Sequence, residues 1–208
     1  TGTRGGFVAI EALNGTSGRG QILLGNTGIV ATGDAAGRIE LRAEGDLDFA
    51  GLSAEALGTA PPTNNDTDTA PAGIFVAVNG GTITSQGNVT LATDSSVGVY
   101  GQSNGILDVD GDLTIDAGDQ VDIRHDAREG EAPTIRASDS VTVTALNSIS
   151  AAPGSTIGAG DALSLTTTGV TGSIGVDRLD AVGDIVISST GATSVEHAEA
   201  DNDFTAAA

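Results

Sequence analysis

One short stretch of this chain gathers side chains suited to acid–base work on a polymer: Asp122, Arg124, His125, Asp126 and Arg128. Carboxylates with Arg or His on one outer face can position and protonate a sugar linkage. If the stretch is extended, alternation points Asp122 and Arg124 outward and brings His125 and Asp126 into a turn. The plainer reading is a surface ion-pair patch, and the sequence favours it. Sugar clefts usually present aromatic platforms, whereas this chain has one Tyr, Tyr100, and no Trp.

A second candidate lies just upstream. Asp108, Asp110, Asp112, Asp116, Asp119, Asp122 and Asp126 form the richest acidic run, and alternating carboxylates could offer oxygen ligands to Ca²⁺. The terminal Glu of an EF-hand and the Gly-Gly-x-Gly-x-Asp nonapeptide are both missing, so these Asp residues read as solvated turn and face positions. His197 is isolated in sequence and reads as a solvated residue. No nucleophile motif or phosphate-cradling loop is present, and the many Gly-x-Gly fragments are turn chemistry. The expectation is of no catalytic, cofactor-binding or metal residues, with any binding residues unknown.

The elements that must carry these side chains are internal repeats. Gly111-Asp112-Leu113-Thr114-Ile115-Asp116-Ala117 returns as Gly87–Thr93, Asp139–Ala145, Asp161–Thr167 and Gly183–Ser189, with further copies at Gly37–Ala43, Phe7–Ala12 and Asp203–Ala208. Let position zero be Phe7, Arg38, Asn88, Asp112, Ser140, Ala162, Asp184 and Asp203. Positions one and three are then apolar and position five is small, which is an inward-facing strand ending at a tight corner. Five residues earlier stand Ile83, Leu107, Ile135, Ile157 and Leu179; nine and eleven later stand Leu47/Phe49, Val97/Val99, Val121/Ile123 and Ile149/Ala151. Each repeat therefore reads as three short strands separated by turns.

Stacking such repeats gives an all-β chain, a right-handed parallel β-helix (solenoid) of about eight coils spanning roughly 40 Å at the spacing of paired strands. The right hand is the rule for parallel crossovers. The segment at about 58–73, holding Pro61, Pro62 and Pro71 around a polar run, reads as a protruding loop, because prolines do not join a ladder easily. Residues 1–208 are expected to form one continuous unit of a longer chain. At position two, Ala9, Glu40, Thr90, Thr114, Thr142, Ser164, Val186 and Thr205 make an interrupted hydroxyl row. Regular rows of this kind can bind ice, but a sheet-face ladder accounts for this one. Asn14, Asn65 and Asn88 begin Asn-x-Thr triplets that could accept glycans.

Composition limits the partners. The net charge is −20, with eight Arg and no Lys, which disfavours nucleic acid and anionic lipid. The chain has no Cys, and no apolar run reaches membrane-spanning length, so no membrane insertion of this segment is expected.

The G-[DN]-[LIV]-x-[LIV]-x-[AST] unit, with its companion strands in register, resembles the haemagglutinin-type repeats of filamentous haemagglutinin and related large bacterial exoproteins. The resemblance spans Phe7 to Ala208. It implies a non-enzymatic structural shaft of a secreted or cell-surface bacterial adhesin or filament, extracellular or on the outer cell surface, holding binding regions away from the cell. The implied partners are a receptor or glycan on a host or neighbouring cell, or further copies in a filament. Such families often carry an amino-terminal secretion domain with Asn-Pro-Asn motifs, and this sequence has no Asn-Pro pair. The rival expectation is a carbohydrate-active β-helix enzyme, a polysaccharide lyase or hydrolase, with its site near 122–128.

Overall fold

A computed structural model describes residues 7–13, 20–32, 38–57, 73–79, 81–102, 105–125 and 132–207. They form one parallel sheet of 20 strands with no helix, and the sheet does not close on itself. The strands stack in three ladders, and the chain visits the ladders in a fixed order.

The first ladder joins Phe7–Ala12, Arg38–Ala43, Ile74–Asn79, Val97–Gln102, Gln120–His125 and Ser148–Ala151, then the leading parts of Ser173–Ala181 and Thr193–Ala200. The second begins with the leading parts of Gln21–Thr32 and Asp46–Leu57. It runs through Thr82–Ser85, Ile106–Val109, Thr134–Ala137 and Thr156–Ala159 to the trailing parts of Ser173–Ala181 and Thr193–Ala200. The third takes the trailing parts of Gln21–Thr32 and Asp46–Leu57, then Val89–Thr93, Leu113–Ala117, Val141–Ala145, Leu163–Thr167, Ile185–Ser188 and Phe204–Ala207. A chain that returns to the same ladder after each circuit is a solenoid-like architecture.

Period-two alternation sends one side of every ladder into a shared interior. Columns such as Val89, Leu113, Val141, Leu163 and Ile185, or Ile83, Leu107, Ile135, Ile157 and Leu179, are fully buried in a single core cluster. Each such side chain contributes roughly 1.5–3 kcal/mol by leaving water, and its neighbours in the column belong to the strands above and below. Phe49, the one fully buried aromatic ring, pairs with the small Ser85 of the next strand, so bulk is balanced across the stack. The corner from the third ladder to the first is equally tight. A Cβ on Gly73 would lie 2.1 Å from Thr93 Oγ1, which itself donates to the Ala56 carbonyl at 2.7 Å.

The pairing corrects the expected equivalence of the first two repeats. Strand Arg38–Ala43 pairs with Phe7–Ala12 and Ile74–Asn79, so both early copies belong to the first ladder. The true partners of Val89 and Leu91 are Leu52 and Ala54. Leu47/Phe49 likewise pair with Ile83/Ser85 in the second ladder, not with Val97/Val99. The physical reason is that strands of the first and third ladders carry the same code, alternating aliphatics closed by a small residue. A second finding concerns the sixth repeat. Ile174 continues the column of Ile149 three residues later than the earlier spacing of nine would place it, because the turn before it is longer and closes with Gly172 N–H donating to the Gly169 carbonyl. The expected loop at about 58–73 lies, except for Gly73, outside the described residues.

Candidate functional site

The outer side of the first ladder carries the side chains singled out by their chemistry. Val121 and Ile123 face the core, so Asp122 and Arg124 face outward. Parallel pairing sets Gly98 beside Asp122 and Tyr100 beside Arg124. On the strand before, Phe75 sits beside Gly98 and Ala77 beside Tyr100. Phe75 and Tyr100 thus each have a small residue beside them, Gly98 and Ala77. The rings of Phe75 and Tyr100 lean into the space so left and meet edge to face, 4.9 Å between centroids.

Gly98 leaves room for that meeting. A Cβ there would stand 3.2 Å from Tyr100 Cε1 and 3.5 Å from Phe75 Cδ2. Phe75, Ala77 and Tyr100 form a second, small buried apolar cluster, separate from the interior core. Two guanidinium groups flank it: Arg124 lies 4.5 Å from the Tyr100 ring centre and Arg42 lies 5.3 Å from that of Phe75. Stacked cations of this kind are attracted by the negative ring face, and Arg suits the role because it is planar and weakly hydrated.

The polar groups are as closely connected. Arg124 Nη2 donates to the Tyr100 hydroxyl at 2.6 Å, and that hydroxyl donates to Asp122 Oδ2 at 3.3 Å. Arg124 Nε lies 3.1 Å from the same Asp122 oxygen, while Ser150 Oγ donates to Oδ1 at 3.1 Å. Both carboxylate oxygens are therefore engaged by donors from three successive strands. Farther along the ladder the half-exposed Arg42 reaches Glu40 at 3.3 Å and Glu11 at 3.7 Å, and Arg38 pairs with the buried Glu40. A carboxylate held in this way orients its neighbours well and is poorly placed to take a proton from a substrate.

Of the five residues read as a possible catalytic group, the structure brings Asp122 and Arg124 together and adds Tyr100, Ser150 and Phe75. His125 is placed by its backbone alone, paired with Gly101, and Asp126 and Arg128 lie outside the described residues. The companions at Gly98 and Tyr100 were recoverable from the alignment of Val97/Val99 with Val121/Ile123. Phe75 and Arg42 were not, because the repeat pattern leaves Ile74–Asn79 unplaced and aligns Arg38–Ala43 with Val89–Thr93.

The acidic run is built into the stack. Arg136 makes a two-pronged contact with Asp108, Nε to Oδ1 and Nη2 to Oδ2, both at 2.8 Å. That hydrogen bonding raises the Arg136 pKa above its ordinary value, against the opposing effect of burial. Asp110 accepts from Ser138 Oγ at 3.1 Å. Asp119 accepts from Ser96 Oγ at 3.0 Å and from Asn147 Nδ2 at 2.8 Å, so it ties the strands on either side.

Position zero of the repeat explains itself at the corner between the second and third ladders. The Asp112 N–H donates to Asn88 Oδ1 at 3.1 Å, the Ser140 N–H to Asp112 Oδ1 at 3.1 Å, and the Asp203 N–H to Asp184 Oδ1 at 3.2 Å. An Asx side chain there receives the corner N–H of the following circuit, a donor that would otherwise lack a ladder partner.

The outer side of the third ladder is different in character. With the register corrected, its hydroxyl row reads Ser53, Thr90, Thr114, Thr142, Ser164, Val186 and Thr205, so Glu40 and Ala9 leave it. Val186 still breaks the row. His197 lies on the last strand of the second ladder, its Nε2 4.0 Å from Glu199 Oε2.

Comparison with protein-family models, with curated proteins and with solved structures finds no match to this chain.

Proposed function

We propose that this chain is a right-handed parallel β-helix of about eight coils, three strands to each coil. In this reading it is a structural shaft segment of a secreted or cell-surface bacterial adhesin or filament of the haemagglutinin-repeat kind. Its partners are then a receptor or glycan on a host or neighbouring cell, contacted by other regions or by exposed loops, or further copies of the rod. The observation that carries the proposal is the use of outward polar side chains. Asp108, Asp110, Asp112, Asp119 and Asp122 all receive hydrogen bonds from residues one circuit away. A surface committed to holding one circuit on the next supports a spacer, whose job is to keep its length and straightness.

The test is removal of one complete circuit. Deleting residues 120–147 joins Asp119 to Ser148, which is the ladder partner of Gln120. Small-angle scattering of the shortened chain is expected to give a folded rod about 5 Å shorter, one strand spacing. Displayed beneath a separate binding domain, it should shorten the reach of that domain by the same step. A compact particle, or a deletion variant that does not fold, would refute the spacer reading.

One observation favours the second reading, a carbohydrate-active enzyme: the convergence of Tyr100, Asp122 and Arg124 on one outer face. Depolymerisation of pectin or alginate that Arg124→Ala abolishes would establish it.

A further inference from the structure

Four outward side chains stand in a square at the end of the second ladder. Arg178 pairs with His197 and Asp180 with Glu199 across two adjacent strands. Arg178 Nε donates to Asp180 Oδ2 at 2.9 Å and its Nη2 to Glu199 Oε2 at 3.4 Å, so one guanidinium aligns both carboxylates. This bonding raises the Arg178 pKa above its ordinary value, Asp180 being the main cause. The contact leaves Asp180 Oδ1 buried with no hydrogen-bond partner, an unusual state for a carboxylate oxygen. One ligand atom from each of Asp180, His197 and Glu199 lies within 4.8 Å of the others.

The strand before contributes Gly158 opposite Asp180, where Arg136 and Arg178 bring their own side chains to a shallow recess also lined by Asp201. A missing side chain at Gly158 therefore keeps the flank of the square open to solvent and to small ions.

We propose that Asp180, His197 and Glu199 form a binding site for a first-row divalent cation of the zinc class. An imidazole nitrogen and carboxylate oxygens are both donors that zinc accepts, and three protein ligands leave a fourth position open for water. Tetrahedral bonds of about 2.0–2.2 Å place two donors roughly 3.3–3.6 Å apart, so side-chain rotation must draw the three groups in by about an ångström. Calcium and magnesium are disfavoured, because both prefer sites made wholly of oxygen. Arg178 then acts from outside the ligand set, holding Asp180 Oδ2 and Glu199 Oε2 in place by hydrogen bonds. Its like charge lowers affinity, an effect set against the field of a chain carrying −20. Bound in this way, the cation ties the strand Ser173–Ala181 to Thr193–Ala200.

Calorimetric titration of the whole chain with zinc chloride tests this. One saturable site is expected, together with a rise in melting temperature on zinc addition, since an ion that binds the folded form stabilises it. His197→Ala and Asp180→Asn should each weaken binding about tenfold or more, and circular dichroism should show both still folded. His125→Ala, the control for the other histidine of the chain, should leave binding unchanged, and magnesium or calcium at equal concentration should not compete. Binding that survives His197→Ala, binding lost instead with His125→Ala, or no saturation at millimolar zinc would each overturn the proposal.

Discussion

Introducing cysteine at Ser53 and Thr90 reads the strand register directly. These residues are paired on the outer side of the third ladder, where neighbouring strands lie about 4.8 Å apart. That separation falls within the Cα range of about 4.4–6.8 Å that a disulfide requires. Ser53 is exposed and Thr90 half-exposed, so oxidant reaches both, and the chain has no cysteine of its own to interfere. The bond would close a loop of 37 residues (90 − 53). Loop-closure entropy then stabilises the folded form by about 4 kcal/mol, less any strain in the bridge. Non-reducing electrophoresis should show rapid, complete oxidation of Ser53→Cys/Thr90→Cys, and a urea titration should shift to higher concentration until reductant is added. The matched control is Glu40→Cys/Thr90→Cys, which the repeat pattern alone would align but the pairing keeps apart, Glu40 being opposite Phe75. Fast cross-linking of the control, with none in the Ser53 variant, would refute the register and with it the assignment of Arg38–Ala43 to the first ladder.

Other outcomes follow from the same geometry. Leu165→Ala, at a fully buried position between Val143 and Ile187, should cost about 2–5 kcal/mol in urea unfolding, whereas the outward Thr142→Ala should stay within ~0.5 kcal/mol. Gly98→Val should push apart the Phe75–Tyr100 pair; because Tyr100 is the only tyrosine, its quenching by acrylamide reports the change without interference. Asp112→Ala removes the acceptor for the Ser140 N–H and a contact of Asn88, and should cost about 1–3 kcal/mol, with hydrogen exchange rising at the corner residues Ser140 and Val141. Replacing Ala60–Ala72 by a short Gly-Ser turn should leave the β-sheet circular dichroism intact; a variant that fails to fold would place that segment in the core.

The stacking of the later circuits was legible because their side chains carry it. From Asn88 onward a corner residue, two inward aliphatics and a small closing residue recur, and Val89, Leu113, Val141, Leu163 and Ile185 are in register as the repeat predicts. The early circuits were misplaced because alternation tells a reader which way a strand faces, not which ladder it joins. Ile39/Leu41/Ala43 and Leu113/Ile115/Ala117 satisfy the same rule on different faces. The correct third-ladder strand, Leu52-Ser53-Ala54-Glu55-Ala56, hides its pattern behind two alanines. The role of the acidic run was legible only through the repeat frame, which aligns Leu107 with Ile135 and so sets Asp108 beside Arg136. Asp108 looks solvated until Arg136, 28 residues on, is known to lie beside it. The square at Arg178, Asp180, His197 and Glu199 shares that difficulty, since no local spacing brings His197 to Asp180.

The three ladders have a mechanical consequence. Their hydrogen bonds run from strand to strand, along the direction in which the circuits stack, and clamps such as Arg136 to Asp108 and Asn147 to Asp119 run the same way. Tension along that direction therefore loads the bonds of all three ladders at one junction together. Where that tension is spread over a whole circuit, rupture requires many weak links to fail in a single event. A pull directed across the stack at one free edge meets them one after another, as a zipper does. The same molecule should withstand a large force along its length and peel under a small one applied sideways at its end.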